Sequence, residues 1–236
     1  MEYRCPLCHS TMEIREEIQN PSAWIQRTST DRSSWTEIAE MIRSGYGQKY
    51  FAIGDRIGFK AKDGTEMMME LAAFNPYWEN SAAFVSLDCY PEDRPMNERN
   101  TNAGGWNKSV MKQKTMKTLY ENLPDDLQRI IIPRKIVQRI GREEFSSEDN
   151  YLWIPSLTEM RKETPCESDI GDVHFPLFCD YKSRVKQHNG NTWWYWLRSP
   201  NAGTSTGFFN VGSYAGASTH YYGASGSYGV CFGFCI

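Results

Sequence analysis

Residues 201–228 are the part of this chain that most limits what it can become. The run holds six Gly, five Ser, four Ala, four Tyr, three Thr, two Asn, two Phe, one His and one Val. It contains no Lys, Arg, Asp, Glu, Leu, Ile, Met or Trp, although the whole chain is 23% charged. Such a stretch cannot supply an aliphatic core of its own. Tyr with Ser, Gly and Asn is the chemistry of antibody paratopes, where tyrosine gives large amphipathic contact area at little rotamer cost and small residues let loops adapt. A disordered Gly/Ser tail is the competing reading. Tyr214, Tyr221, Tyr222, Tyr228, Phe208 and Phe209 argue against it, as do the apolar blocks at 193–197 and 229–236. The run is expected to form ordered recognition loops.

The remainder is long enough to carry them. At 236 residues the chain makes one large or two small domains, and 40% apolar with 14% aromatic residues is ample for a core. A net charge of −3 favours neither a nucleic-acid backbone nor an anionic membrane surface. No stretch approaches the roughly 20 apolar residues of a membrane span. The start, Met-Glu-Tyr-Arg-Cys-Pro-Leu-Cys-His, lacks an apolar run behind a basic segment. Cytoplasmic synthesis without a signal peptide is the expectation, the product being kept there or carried out on a virion that assembles there. Seven cysteines, an odd count, then argue for reduced thiols.

Residues 1–33 read as a polar N-terminal arm and 34–236 as the domain. Ser34, three residues before Glu37, opens a helix with Trp35, Ile38, Ala39 and Ile42 on its apolar face, and Gly45 and Gly47 are expected to stop it. Strand-like pieces follow at 50–53, 56–60, 66–74 and 84–89, with Asp63-Gly64 as a hairpin turn. A polar loop at 100–107 precedes a helical pattern at 108–121 and a short helix after Pro124. Residues 130–140 read as an edge strand because of Pro133, and 151–155 as a further strand. Ser156 to Glu159 repeats the capping pattern, and 193–197 form a dense aromatic strand. Helices early and strands late, without βα alternation, give an α+β class.

Cys5-Pro-Leu-Cys8 has the knuckle spacing of a zinc site, but four ligands are the norm and no second pair follows. Cys5 and Cys8 are therefore candidate metal residues with an incomplete set, and no other cofactor is implied. Cys231 and Cys235 fall on one face of a strand, with core filling as the bland reading and a redox or copper pair as the sharp one. No Ser/His/Asp set or phosphate loop is present, and the four histidines stand in unrelated contexts. Trp193, Trp194 and Trp196 read mainly as core, with one ring at most reaching a ligand.

Ser34-Trp35-Thr36-Glu37-Ile38-Ala39, Asn102-Ala103-Gly104-Gly105-Trp106-Asn107-Lys108-Ser109 and Leu123-Pro124-Asp125-Asp126-Leu127 come in that order. Trp194-Tyr195-Trp196-Leu197-Arg198-Ser199-Pro200 and the ending 229–236 complete a set. Together they resemble the variable proteins of diversity-generating retroelements and related C-type-lectin-fold domains of bacteria and phages. The resemblance spans about residues 34–236. It implies a C-type lectin fold with short helices and a small, mostly antiparallel sheet. It also implies a non-enzymatic role, in which diversified C-terminal loops bind variable protein or cell-surface ligands. In that family an error-prone reverse transcriptase rewrites adenines, so Asn codons can yield many residues but never Lys, Glu, Gln, Met or Trp. None of those five occurs in 201–228.

By the same resemblance the diversified positions are Thr204, Thr206, Phe209, Tyr214, Thr219, His220, Tyr221, Tyr222, Ser225, Gly226 and Tyr228. Gly216, Ala217, Ala224, Gly229 and Val230 are scaffold, and Trp35, Trp106, Trp153, Trp194, Trp196, Phe232 and Phe234 supply the core. Arg198 is expected to bridge carbonyls or a carboxylate at the start of the variable loop. Trp106-Asn107 is followed by Lys108, and no Glu-Pro-Asn-type loop occurs, so calcium-dependent sugar binding is not supported. A formylglycine-generating-type copper oxidase using Cys231 and Cys235, and a zinc-stabilised adaptor built on Cys5 and Cys8, are the alternatives.

Overall fold

The computed structural model describes residues 2–4, 11–13, 34–163, 165–213 and 219–236. Cys5, Cys8, Tyr214, Gly216 and Ala217 lie outside the described residues, as does the side chain of Thr219. In the arm, strand β1 (Glu2–Arg4) pairs antiparallel with β2 (Thr11–Glu13).

Helix α1 (Trp35–Met41) begins as its sequence demands. The Ser34 hydroxyl accepts from Glu37 N–H and the Glu37 carboxylate accepts from Ser34 N–H, which satisfies two orphan donors of the first turn. Gly45 interrupts the helix as expected, whereas Gly47 begins the next one. With φ of 81° Gly45 kinks a π-helical turn at Ile42–Tyr46, and α2 (Gly47–Tyr50) follows. Residues 50–53 are consequently not a strand.

Strands β3 (Arg56–Lys60) and β4 (Glu66–Phe74) form the expected hairpin around Asp63-Gly64, where Gly64 has φ of 92°. β5 (Ala82–Ser86), two residues earlier than predicted, pairs with β4, and the last strand of the chain, β16 (Gly233–Cys235), pairs with β5. This four-stranded antiparallel sheet, in the order β16-β5-β4-β3, carries the centre of the core. Trp35 packs its edge on Phe84 and Phe234 at centroid distances of 5.4 and 5.5 Å, and those two rings stack on each other. Gly233 is required where β16 passes Trp153. A Cβ there would meet the Phe84 carbonyl and the Trp153 ring at 2.7 Å.

A short strand β6 (Arg94–Pro95) leads to the loop at 100–105, a 3-10 turn at Trp106–Lys108 and a π-helical turn at Met111–Met116. Helices α3 (Lys117–Asn122) and α4 (Asp125–Ile130) continue from there. Strand β7 (Arg134–Arg139) lies between β8 (Phe145–Asn150) and β9 (Asp169–Ile170). It is therefore central, not an edge: Pro133 sits just before it, where its missing N–H costs the ladder nothing. Residues 151–155 make a single bridge, Trp153 to Gly233, in place of a strand. Helix α5 (Leu157–Met160) repeats the capping box through Ser156 and Glu159.

The remaining strands build the C-terminal face. β10 (Lys186–His188) and β11 (Asn191–Trp193) form a hairpin. β12 (Tyr195–Pro200), β13 (Gly207–Val211) and β14 (Thr219–Gly223) form a three-stranded sheet, and β15 (Ser227–Tyr228) pairs with β6. The architecture is mixed α+β, with short helices and small antiparallel sheets. Among the described residues no helix is long and apolar enough to cross a membrane.

Candidate recognition surface

The β12–β14 sheet is anchored along β12 and open at its β14 edge. Trp196 stands opposite Asn210, and the register then shifts before Pro200 meets Phe208. That bulge frees Arg198 and Ser199 to bond elsewhere. The Arg198 N–H donates to the Pro155 carbonyl (2.9 Å), and the Ser199 hydroxyl accepts from Leu157 N–H (2.8 Å). Arg198 is fully buried. Its Nη1 donates to the Ile154 carbonyl (2.7 Å) and Glu159 Oε2 (2.7 Å), and its Nη2 to Glu159 Oε1 (2.8 Å) and to Asp172. Arg134 and the Tyr77 hydroxyl also donate to Glu159, and Arg134 reaches Asp172. The expected bridging by Arg198 is thus present, to both a carbonyl and two carboxylates.

Burial would raise the Glu159 pKa, but the Arg198 and Arg134 guanidiniums overcome it and hold the group at about 2. Asp169, beside them, goes the other way. Burial and the Asp172 charge lift it to about 6, despite hydrogen bonds from the Ser199 hydroxyl and from the Thr158 N–H and hydroxyl. A carboxyl raised in the folded state stabilises fully below its unfolded pKa near 4, and that stability is lost as pH rises through about 6. Glu159, depressed instead, is largely ionised in both states above about pH 5, so it adds little to the slope from about 5 to 7. Wild-type protein should lose about 1 kcal/mol of stability to urea between about pH 5 and pH 7. Asp169→Asn should reduce the loss over that range by about 1 kcal/mol.

Asn102 fastens the loop between β12 and β13. Its amide nitrogen faces three carbonyls, those of Asn201 (3.0 Å), Thr204 (2.8 Å) and Gly207 (2.9 Å). Farther on, Asn97 N–H donates to the Ala224 carbonyl and Trp196 Nε1 to the Arg94 carbonyl. Gly229 accepts from Trp196 N–H and donates to the Trp194 carbonyl. Scaffold positions Ala224, Gly229 and Val230 are buried.

On this frame sits a chain of rings. Trp194 lies 5.5 Å from His220 and 5.4 Å from Tyr222, centroid to centroid; Tyr222 lies 5.4 Å from Tyr228, and Tyr228 lies 5.0 Å from Trp196. Trp194 is half-buried, and Trp193 is 38% exposed with its Nε1 donating to Asp93. The aromatic strand expected at 193–197 is therefore broken at Trp194. Only Trp196, of the three tryptophans, is core; Trp194 belongs to the surface. Asn210, fully buried opposite Trp196 and His220, has neither amide atom in a hydrogen bond with the described protein.

Of the positions expected to vary, His220, Tyr221, Tyr222 and Ser225 are exposed, and Thr204, Thr206, Phe209, Gly226 and Tyr228 are half-buried. They do not share one face. Alternation along β14 sets Tyr222 and His220 with Trp194, while Tyr221, opposite Phe209, points to the other side. Tyr221 (54% exposed) and Tyr222 (40%) show that both sides of this strand are open. Phe209 and Tyr228 pack partly against the core. At Gly226 a Cβ would meet the Tyr228 ring at 3.0 Å, so a larger side chain needs that ring to move.

Residues 75–236 match a family described as a domain of unknown function, DUF6273. The chain belongs to the DUF6273 family. No curated protein and no solved structure matches it. The DUF6273 segment includes the β12–β14 sheet and the ion network beside it, whereas α1 and the β3–β4 hairpin precede it. Asn102 and Trp194 open two of the sequence blocks that carry the resemblance, and Glu159 is legible as the capping residue of α5; Asp172 stands in no motif.

No group of three or more His, Cys, Asp or Glu side chains suited to a metal occurs among the described residues. Cys231 and Cys235 are both buried; the Cys231 thiol meets that of Cys89, and Cys235 lies opposite Ala83 in β16.

Proposed function

We propose that this chain is a non-enzymatic ligand-binding protein of C-type-lectin type. Its β12–β14 sheet and adjoining loops bind variable protein or cell-surface partners, as in the variable proteins of diversity-generating retroelements. One observation carries the reading: two adjacent tyrosines of the edge strand β14, one on each face, stand open to solvent beside a strand, β12, that is buried along its length. Tyrosine exposed on a rigid base offers contact area with little ordering cost, and substitution there leaves the core intact. The mixed α+β architecture with short helices and small antiparallel sheets supports the fold assignment.

Diversification is tested in the genome that encodes the chain. A near-copy of the gene's 3′ end, differing at adenines and lying beside a reverse transcriptase gene, is expected; a 3′ end with no such copy sinks the retroelement reading. The binding role is tested with Tyr221→Ala and Tyr222→Ala. Each should change stability by no more than about 0.5 kcal/mol and weaken binding to a target selected from a displayed cell-surface protein library by about 1–2 kcal/mol. Unfolding by either substitution, or unchanged affinity with both, counts against the surface.

A further inference from the structure

The thiols of Cys89 and Cys231 lie 3.3 Å apart although 142 residues separate them in sequence. Both are buried, and they do not stand alone. The Lys186 ammonium, held by Glu70 at 3.1 Å, acts electrostatically on Cys89, and the Tyr195 ring feels both thiols. Cys89 is the reachable member: it retains 7% exposure against 0% for Cys231, and its neighbour Asp88 is exposed. Contact with Cys231 and burial raise the Cys89 pKa, while Lys186 favours the thiolate, so reaction will be slower than at a surface cysteine.

We propose that Cys89 and Cys231 are a peroxide-oxidisable dithiol, a modification site that closes to a disulfide and ties residues 87–90 to the segment entering β16. The Cys89 thiol gives up its proton and the thiolate attacks one peroxide oxygen; the S–O bond forms, the O–O bond breaks, and the leaving hydroxide takes up that proton as water. The Cys231 sulfur then attacks the resulting sulfenic acid. The S–S bond forms, the S–O bond breaks, and the departing hydroxide takes the Cys231 proton as a second water. Two thiols lose two electrons and one peroxide gains them.

The bond would reinforce an existing seam. Tyr90 N–H already donates to the Val230 carbonyl and Ser86 N–H to that of Phe232, next to Gly229, which holds Trp194 and Trp196. The full chain is treated with hydrogen peroxide, alkylated under denaturing conditions and digested for peptide mass analysis. One crosslinked pair containing Cys89 and Cys231 should appear, lighter by two hydrogens than its parts and split by dithiothreitol. The melting temperature should rise in the oxidised protein, and Cys89→Ser should leave Cys231 open to alkylation. Exposed Cys179 shows that the oxidant acted. Oxidised Cys179 beside fully alkylated Cys89 and Cys231 overturns the proposal, as does linkage of Cys89 to any other cysteine.

Discussion

Glu159→Ala is expected to destabilise the fold by about 3–5 kcal/mol, a loss that breaks the buried pairing of two cations at once. The carboxylate accepts from Arg198, Arg134, the Tyr77 hydroxyl and Ser156 N–H, with its side chain wholly buried. Removing it leaves two guanidiniums, each no more than 3% exposed, sharing Asp172 alone. It also removes half of the α5 capping box. Glu148 provides the control because it too holds two cations, Lys108 and Lys112, but is 27% exposed. Solvent screens that cluster, so Glu148→Ala should cost no more than about 1 kcal/mol. Urea unfolding of the two variants measures the difference. Similar losses would show that the buried network does not hold the sheet, and a small loss at Glu159 would show that water reaches the site.

The same contrast explains which parts of this fold the sequence exposes. Features written within a few residues were legible: both capping boxes, the β3–β4 hairpin around Asp63-Gly64, and α4 after Pro124. Their causes are local hydrogen bonds and turn geometry, and those are carried by adjacent residues. The identity of distant partners was not, even where, as at Arg198, a bridging role was expected. Arg198 meets Glu159 and Asp172 across 39 and 26 residues, and Asn102 meets its three carbonyls across 99 to 105. Cys231 was paired with Cys235 on the strength of spacing, whereas its thiol lies against Cys89. Proximity along a strand places two side chains on a common face without bringing their atoms together. Likewise Pro133 suggested an edge only because the start of β7 could not be fixed from sequence. On the candidate surface, the composition of 201–228 pointed to exposed tyrosines, but strand alternation placed Tyr221 and Tyr222 on opposite sides. Nothing in a run of Trp, Trp, Tyr and Trp indicates which ring turns outward.

That last ambiguity gives the second large effect. Trp196→Ala should cost about 3–5 kcal/mol, the range for emptying a fully buried tryptophan site. Trp196 is 0% exposed, its Nε1 donates to the Arg94 carbonyl, and its ring supports Tyr228. The loss therefore combines a cavity, an orphaned carbonyl and a released platform ring. Trp194→Ala, two residues earlier, should cost no more than about 1 kcal/mol, because its half-buried ring packs on the exposed His220 and Tyr222 and its backbone bond to Gly229 N–H persists. If the rings of Trp194, Tyr222 and Tyr228 act as one binding platform, Trp194→Ala should nonetheless lower affinity as much as Tyr222→Ala does. Thermal unfolding separates the two tryptophans, and the binding assay separates platform from core. Equal destabilisation by both substitutions would place Trp194 inside the core, and the open face would then be reduced to β14 and the loop after it.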